Sequence, residues 1–468
     1  MTMQFNTYEF VFLFLPVTLS LYYIFLGKRK NCLSKTITLI ASFVFCGFSN
    51  PWFAVVLLFS IIINYLLNRL VANTDSALPW LWIGVLYNVA VLCFFKFFNV
   101  LSSSSSVFFP LGISFYTFQF ISTLVETNKR KNTDLGLLDF SLSVSFFPKL
   151  IQGPICDTYD LSSQFRNEDG YSVNWENISK GLFLFAIGLF KKVLIADKFA
   201  GIANTGFSNI PSLNTVTAIL SVLSYSLQIY FDFSGYSDMA RGIGYMFNVR
   251  LPINFDSPYK ALSISDFWKR WHISLTKTLT KLVYIPLGGN RKGEARTYLN
   301  IFIVFIVSGI WHGVGMTFLI WGAMHGIAMI IDRKYGRYFE KIPSIIRWFL
   351  TIVFVCFSWI FFRADSIADA LLMMRKIFSF NLGSTELISD AMYIKSVGIL
   401  IQNRPARSVL KYVFVFLIPL CITLFCRNSN QMVASFKPSV KYSLFTAFLL
   451  GFSVISFSGI ISFVYAFF

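Results

Sequence analysis

The sequence predicts an all-α polytopic membrane protein, and three observations carry that prediction. Of its 468 residues, 56% are hydrophobic and only 13% are charged. The apolar residues come in continuous runs long enough to cross a hydrocarbon layer of roughly 30 Å, which takes about 20 helical residues. No series of ~10-residue segments alternates apolar and polar side chains as a membrane barrel would require, so helices are the remaining architecture.

The runs fall at 8–26, 52–67, 78–95, 107–124, 181–195, 215–230, 301–311, 317–331, 345–362, 410–426 and 442–462. With shorter apolar stretches between them, they predict roughly 10 to 13 transmembrane or re-entrant helices. The first run lacks a basic region ahead of it and is preceded by Glu9, so it is expected to stay as a span rather than leave as a signal peptide. Lys28, Arg29, Lys30 and Lys35 follow it while residues 1–7 hold no basic side chain, which places the amino terminus outside. Alternation then puts the Asn50-Pro51 turn outside, Arg69 inside, the serine run at 102–106 outside and Lys129, Arg130 and Lys131 inside.

The net charge of +18 is spread over short loops between these runs. That is the pattern of membrane orientation and not of a nucleic-acid-binding face. Seven cysteines sit mostly inside apolar runs and form no CxxC pair, so neither a metal site nor a disulfide framework is expected. There is no internal repeat and no long soluble insert. The chain reads as one membrane-embedded domain over 1–468, with connectors at 102–106 and 166–175, a mixed segment at 380–408, and carboxy-terminal helices at 409–468.

The middle of the chain departs from this rhythm. Aromatic and charged residues interleave from Tyr230 to Arg291, and no 20-residue apolar run fits between Tyr236 and Thr297. Irregular backbone at membrane depth persists only when buried in protein or lining a cavity, so a site is expected here. Ser263 and Asp266 offer N-caps for a helix through Leu275. On it Trp268, Trp271, His272 and Leu275 share one face, with Lys269, Arg270 and Thr276 leaning to another. Such a helix lies in the interface or re-enters the membrane. Pro286 and the Gly288-Gly289 pair mark a turn after it.

All three histidines, at 272, 312 and 325, fall between Ser263 and Ile331. His312 ends an apolar run in the string Ser308-Gly309-Ile310-Trp311-His312-Gly313, where an ionisable side chain is a functional candidate by default. Histidine titrates near neutral pH, so it can take a proton from an attacking hydroxyl and return it. A membrane histidine also serves as a hydrogen-bonding strut between helices, and that reading stands beside the catalytic one. For His272, flanked by tryptophan, the two readings balance. His325 lies 13 residues beyond His312 on a different helix face and is left out of the catalytic set.

Other catalytic signatures are missing. The chain has no G-x-S-x-G elbow and no HExxH, and Gly242-Ile243-Gly244 lacks the rest of a dinucleotide fingerprint. Asp232 and Asp238 flank Tyr236 in a strongly aromatic stretch. Buried carboxylates are costly unless paired, so Arg241, Lys269 or Arg270 are candidate partners in structural ion pairs, an alternative to acid/base work.

Several strings together resemble the membrane-bound O-acyltransferase family, in particular its bacterial branch typified by the alginate O-acetyltransferase membrane subunit. They are PLGISFYTFQ at 110–119, QGPI at 152–155, YFDFSGYSDMA at 230–240, LPINF at 251–255, DFWKRWHIS at 266–274, YIPLGGNR at 284–291, WHG at 311–313 and FFRA at 361–364. The resemblance implies a ring of tilted helices around a thinned centre, with a funnel on the outer face and core motifs within 107–364. It makes His312 the family's essential histidine and His272 a second one on a re-entrant helix. Trp311, Asp232, Tyr236, Asp238, Asn254, Trp268 and Trp271, within the same strings, are expected to line the substrate site.

No bound cofactor is implied. The donor would be acetyl-CoA or another acyl thioester arriving from the cytoplasm. The acceptor would be an extracytoplasmic polysaccharide, reached directly or through a periplasmic or extracellular partner transferase. The setting would be a bacterial cytoplasmic membrane with its lipids around the chain. Two departures appear: Lys269 stands where the family string carries arginine, and Glu126-Thr127-Asn128-Lys129 replaces the usual continuation after Gln119. D-alanyl transfer from a carrier protein to teichoic acid remains an alternative. So does a transporter with Asp232, Asp238 and the histidines as a proton relay.

Overall fold

The computed structural model describes residues 3–28, 30–101, 109–131, 135–166, 172–382, 405–457 and 463–464. The serine run at 102–106, the middle of the 166–175 connector and most of the mixed segment at 380–408 lie outside the described residues. Every regular element among the described residues is helical, as the composition predicts. Among the described residues six helices are long and apolar enough to cross a membrane: Glu9–Gly27, Pro51–Asn73, Ala77–Phe97, Thr215–Met246, Glu294–His312 and Ser344–Arg363. Asn31–Gly47, Val415–Leu424 and Val440–Ile455 are shorter apolar helices. Met316–Phe339 spans 24 residues but ends in a charged turn.

Contacts divide the chain into two compact units. The first comprises Met1–Leu189, Gly235–Ile253 and Ser435–Phe468. Its opening span begins as a π-helix, Glu9–Phe14, in which the Leu15 N–H reaches back five residues to the Phe10 carbonyl. Pro16 follows with no N–H to give, so the wider turn accommodates the missing bond. Asn50, expected in a turn, caps Pro51–Asn73 by accepting the Trp52 N–H, with Pro51 in the first turn. Asn64 and Asn88 exchange side-chain hydrogen bonds of 3.1 and 2.6 Å between Pro51–Asn73 and Ala77–Leu101. In a lipid setting such pairs hold helices together where apolar contact alone gives little preference.

Glycine sets the closest approaches in this unit. A Cβ on Gly188 would come within 2.5 Å of the Gly235 carbonyl oxygen, and one on Gly181 within 2.5 Å of the Gly242 carbonyl. The helix Trp175–Phe190 therefore packs backbone to backbone on residues 235–242. This accounts for Gly242 as a packing residue.

The second unit comprises Phe190–Ser234 and Asn254–Ala434. Its centre is the hairpin of Glu294–His312 and Met316–Phe339. A Cβ on Gly309 would lie 2.5 Å from the Phe318 carbonyl oxygen, and one on Gly322 would run into the Phe305 carbonyl. The two helices touch through their backbones close to the turn that follows His312. Ser344–Arg363 packs beside Met316–Phe339.

Between 254 and 291 the helices are short. Ser263 caps Ile264–Arg270 by accepting the Asp266 N–H at 3.2 Å, as its position predicts. The single amphipathic helix expected through Leu275 is broken: Trp271 is extended, His272 adopts left-handed backbone angles (φ 45°, ψ 50°), and a second helix runs from Ile273 to Leu279. The cause lies upstream, where the Asn254 carbonyl accepts the Ile273 N–H at 3.0 Å and its side-chain oxygen accepts the Ser274 N–H at 3.1 Å. These bonds cap the second helix and pull its first N–H groups out of the ladder of the preceding one. The turn after it is as expected, with Gly288 and Gly289 at positive φ.

Candidate active site

His312 is the last residue of Glu294–His312, and Gly313 closes the helix by donating its N–H to the Gly309 carbonyl. The small residue at 313 makes room for a ring of the protein itself, since a Cβ there would run into the Phe318 side chain. The buried His312 ring is walled by Trp311 at 4.7 Å between centroids, Trp321 at 5.2 Å and Phe362 at 5.2 Å. Phe362 belongs to the FFRA string and explains why that string is part of the site. Trp321 lies outside every string noted above.

His272 comes to the same place from another element. Its fully buried ring meets Phe233 edge to face at 4.6 Å and Trp311 at 6.2 Å. Trp311 therefore contacts both histidines, which the sequence separates by 40 residues. The left-handed backbone at His272 is unusual for a residue with a Cβ, and it turns the ring away from the helix face expected from spacing. Non-glycine residues held in this region cluster at functional sites.

His325 is committed elsewhere. Trp268 donates its indole N–H to His325 Nδ1 at 3.2 Å, and Nε2 lies 2.9 Å from the Ser358 hydroxyl. Nδ1 is thus the acceptor, Nε2 carries the proton, and the Ser358 hydroxyl passes the chain on to the Val355 carbonyl at 2.8 Å. With both ring nitrogens engaged, His325 ties three helices together.

The remaining expected site residues separate by environment. Trp268 is held against Phe305, Trp321 and His325. Trp271 stacks on Phe267 and lies tilted against Trp359. Both are buried in this aromatic core. Asn254 is the helix cap just described. Asp232 pairs with Lys192 at 2.6 Å, and Lys192 also reaches Asp197 at 2.8 Å. Lys192 was not among the partners the sequence offered for Asp232. Arg270 instead pairs with Asp266 at 2.7 Å.

Lys192 lies on a π-helical turn, Lys191–Ala196, an irregularity that often accompanies function. Its signal in the sequence was a lysine pair inside the apolar run at 181–195. Tyr236 and Asp238 belong to the other unit. There Tyr236 stacks on Phe5 at 4.8 Å and Asp238 lies 3.7 Å from Arg241.

A buried aromatic cluster that brings two histidines onto one tryptophan in a multi-pass helical protein is an arrangement able to support proton transfer. The chain belongs to the membrane-bound O-acyltransferase family, whose model matches residues 105–373, and it is an O-acyltransferase. It is 41% identical to the peptidoglycan O-acetyltransferase of Helicobacter pylori over 421 residues, covering 81% of this chain and 80% of that one. It is 37% identical to the probable alginate O-acetylase AlgI of Pseudomonas aeruginosa over 399 residues, covering 81% and 75%. A more distant likeness, 28% over 277 residues, covers 54% of this chain and 68% of the teichoic acid D-alanyltransferase of Bacillus subtilis. Family membership decides for an enzyme over a transporter.

Proposed function

We propose that the chain, acting as one acyltransferase domain, moves an acetyl group from acetyl-CoA to hydroxyls of a cell-surface polysaccharide, with His312 as the general base. The observation that carries this reading is the convergence of His312 and His272 on Trp311 inside a buried aromatic wall. His312 accepts the proton of the attacking hydroxyl, and the oxygen adds to the thioester carbonyl. The tetrahedral adduct then expels the thiolate as the C–S bond breaks, and the histidinium returns the proton to sulfur. His272 orients the acceptor or supports the adduct. The aromatic rings around the histidines limit the access of water and so protect the thioester from hydrolysis.

Acetyl is favoured over D-alanyl because the relatives named as O-acetylating enzymes are nearer in identity and cover more of the chain. The distribution of basic loops supports an amino terminus outside and donor entry from the cytoplasm. The acceptor is then reached from the outer face, directly or through an extracytoplasmic transferase. In this reading Trp311 lines the substrate path, while Trp268, Trp271 and Asn254 position the histidines.

The test is the acetyl content of the cell-surface polysaccharide in strains carrying the wild type, His312→Ala or His272→Ala, with membrane abundance matched. The proposal expects ester-linked acetyl to vanish in His312→Ala and to fall in His272→Ala. Unchanged acetylation in His312→Ala, or loss of D-alanyl esters in place of acetyl, overturns it.

A further inference from the structure

In the second unit, Met316–Phe339 and Ser344–Arg363 line a groove of about 640 Å³ together with Leu262, Ser263, Ile264 and Asp266. Met324, Ile327, Ile331, Leu350 and Phe354 line it. Ile327, Ile331 and Leu350 are about half exposed. Along Met316–Phe339 the groove runs from Met324 to Phe339, about 22 Å at 1.5 Å per residue. That is close to the depth of one leaflet with its headgroup layer, half of a bilayer roughly 40–45 Å thick.

The mouth of the groove has the chemistry of a headgroup layer. Arg347 lines it, and its Nε–H is buried and meets no acceptor. Residues 332–347 carry five basic side chains, Arg333, Lys334, Arg337, Lys341 and Arg347, against the two acids Asp332 and Glu340, a net charge of +3. The first four basic residues are exposed. Exposed Tyr335 and Tyr338 add the amphipathic rings that gather where a membrane meets water. Two of the three carboxylates that line the groove are engaged: Asp332 accepts the Ser265 N–H at 2.7 Å, and Asp266 holds Arg270 at 2.7 Å and accepts the Leu262 N–H at 3.1 Å. Glu340 lies exposed beside Lys341.

We propose that this groove is a binding site for one anionic phospholipid. An acyl chain lies along Ile327, Ile331 and Leu350, and the phosphate accepts from Arg347. The apolar wall alone would take any chain, and the selectivity comes from the unsatisfied guanidinium N–H within a positive belt.

The test uses full-length protein in nanodiscs of phosphatidylglycerol or phosphatidylethanolamine with identical chains. Lipid retained after extraction into detergent is counted by native mass spectrometry. The wild type is expected to keep one phosphatidylglycerol and to retain phosphatidylethanolamine at least 10-fold less. Arg347→Gln should remove that preference, and Ala328→Trp, which fills the groove without touching the mouth, should remove retention of both lipids. Circular dichroism and melting of each variant separate loss of lipid from loss of fold. Equal retention of the two lipids by the wild type, or unchanged phosphatidylglycerol retention in either folded variant, overturns the proposal.

Discussion

The three histidines are close in sequence and differ in what their rings touch. His325 has a partner on each nitrogen, so removing it orphans the Trp268 indole N–H and strips the Ser358 hydroxyl of a donor. His325→Ala should therefore lower stability, by about 1–3 kcal/mol for each buried group left unsatisfied. Melting in detergent should show the loss, while turnover per folded molecule stays within a few-fold of wild type. Lys192 poses a different problem, because its ammonium compensates two carboxylates in a buried setting. Lys192→Met leaves Asp197 and Asp232 facing one another without it, which should cost about 3–5 kcal/mol; an unfolding midpoint equal to wild type would sink this account. The histidines were legible in the sequence from their scarcity and clustering. The Lys192 pairing was not, since the partner of Asp232 lies 40 residues away and only the fold chooses among the available cations.

At the scale of elements, the apolar runs located the helices, because lipid crossing imposes a length and a composition that a sequence displays directly. The break at His272 was hidden, because the group that causes it, Asn254, lies 19 and 20 residues upstream of the N–H groups it captures. Local periodicity cannot register that. His272→Gly and His272→Ala both remove the ring, but only glycine adopts the left-handed backbone without a Cβ penalty of ~1–2 kcal/mol. The glycine variant should accordingly be the more stable of the two by about 1 kcal/mol in chemical unfolding. Both should lose acetyl transfer if the ring acts in the reaction. Full transfer by the glycine variant would assign His272 to the backbone turn alone.

For the molecule as a whole, composition and basic loops were enough to read a multi-pass helical membrane protein, and the ordered strings from Pro110 to Ala364 were enough to read its family. The strings could not reveal how they share the work. PLGISFYTFQ and QGPI meet in the first unit, where Gly112, at positive φ, sits against the Leu150 carbonyl and Gln119 donates to the Cys156 carbonyl at 2.6 Å. DFWKRWHIS, WHG and FFRA converge in the second unit on His312 and His272. Family strings thus include scaffold as well as chemistry, and only contacts separate the two.

The central claim is that His312 carries proton transfer in moving acetyl from a thioester to a hydroxyl. Its most direct test supplies acetyl-CoA labelled in the acetyl group to isolated cell envelopes containing wild-type or His312→Ala protein at equal abundance. Base-labile label on polysaccharide and release of free thiol are followed together. The account predicts that both appear in equal amounts with the wild type, and that both fall by about 10²–10⁴-fold in His312→Ala, the usual contribution of a general base. Transfer at the wild-type rate by His312→Ala would contradict it.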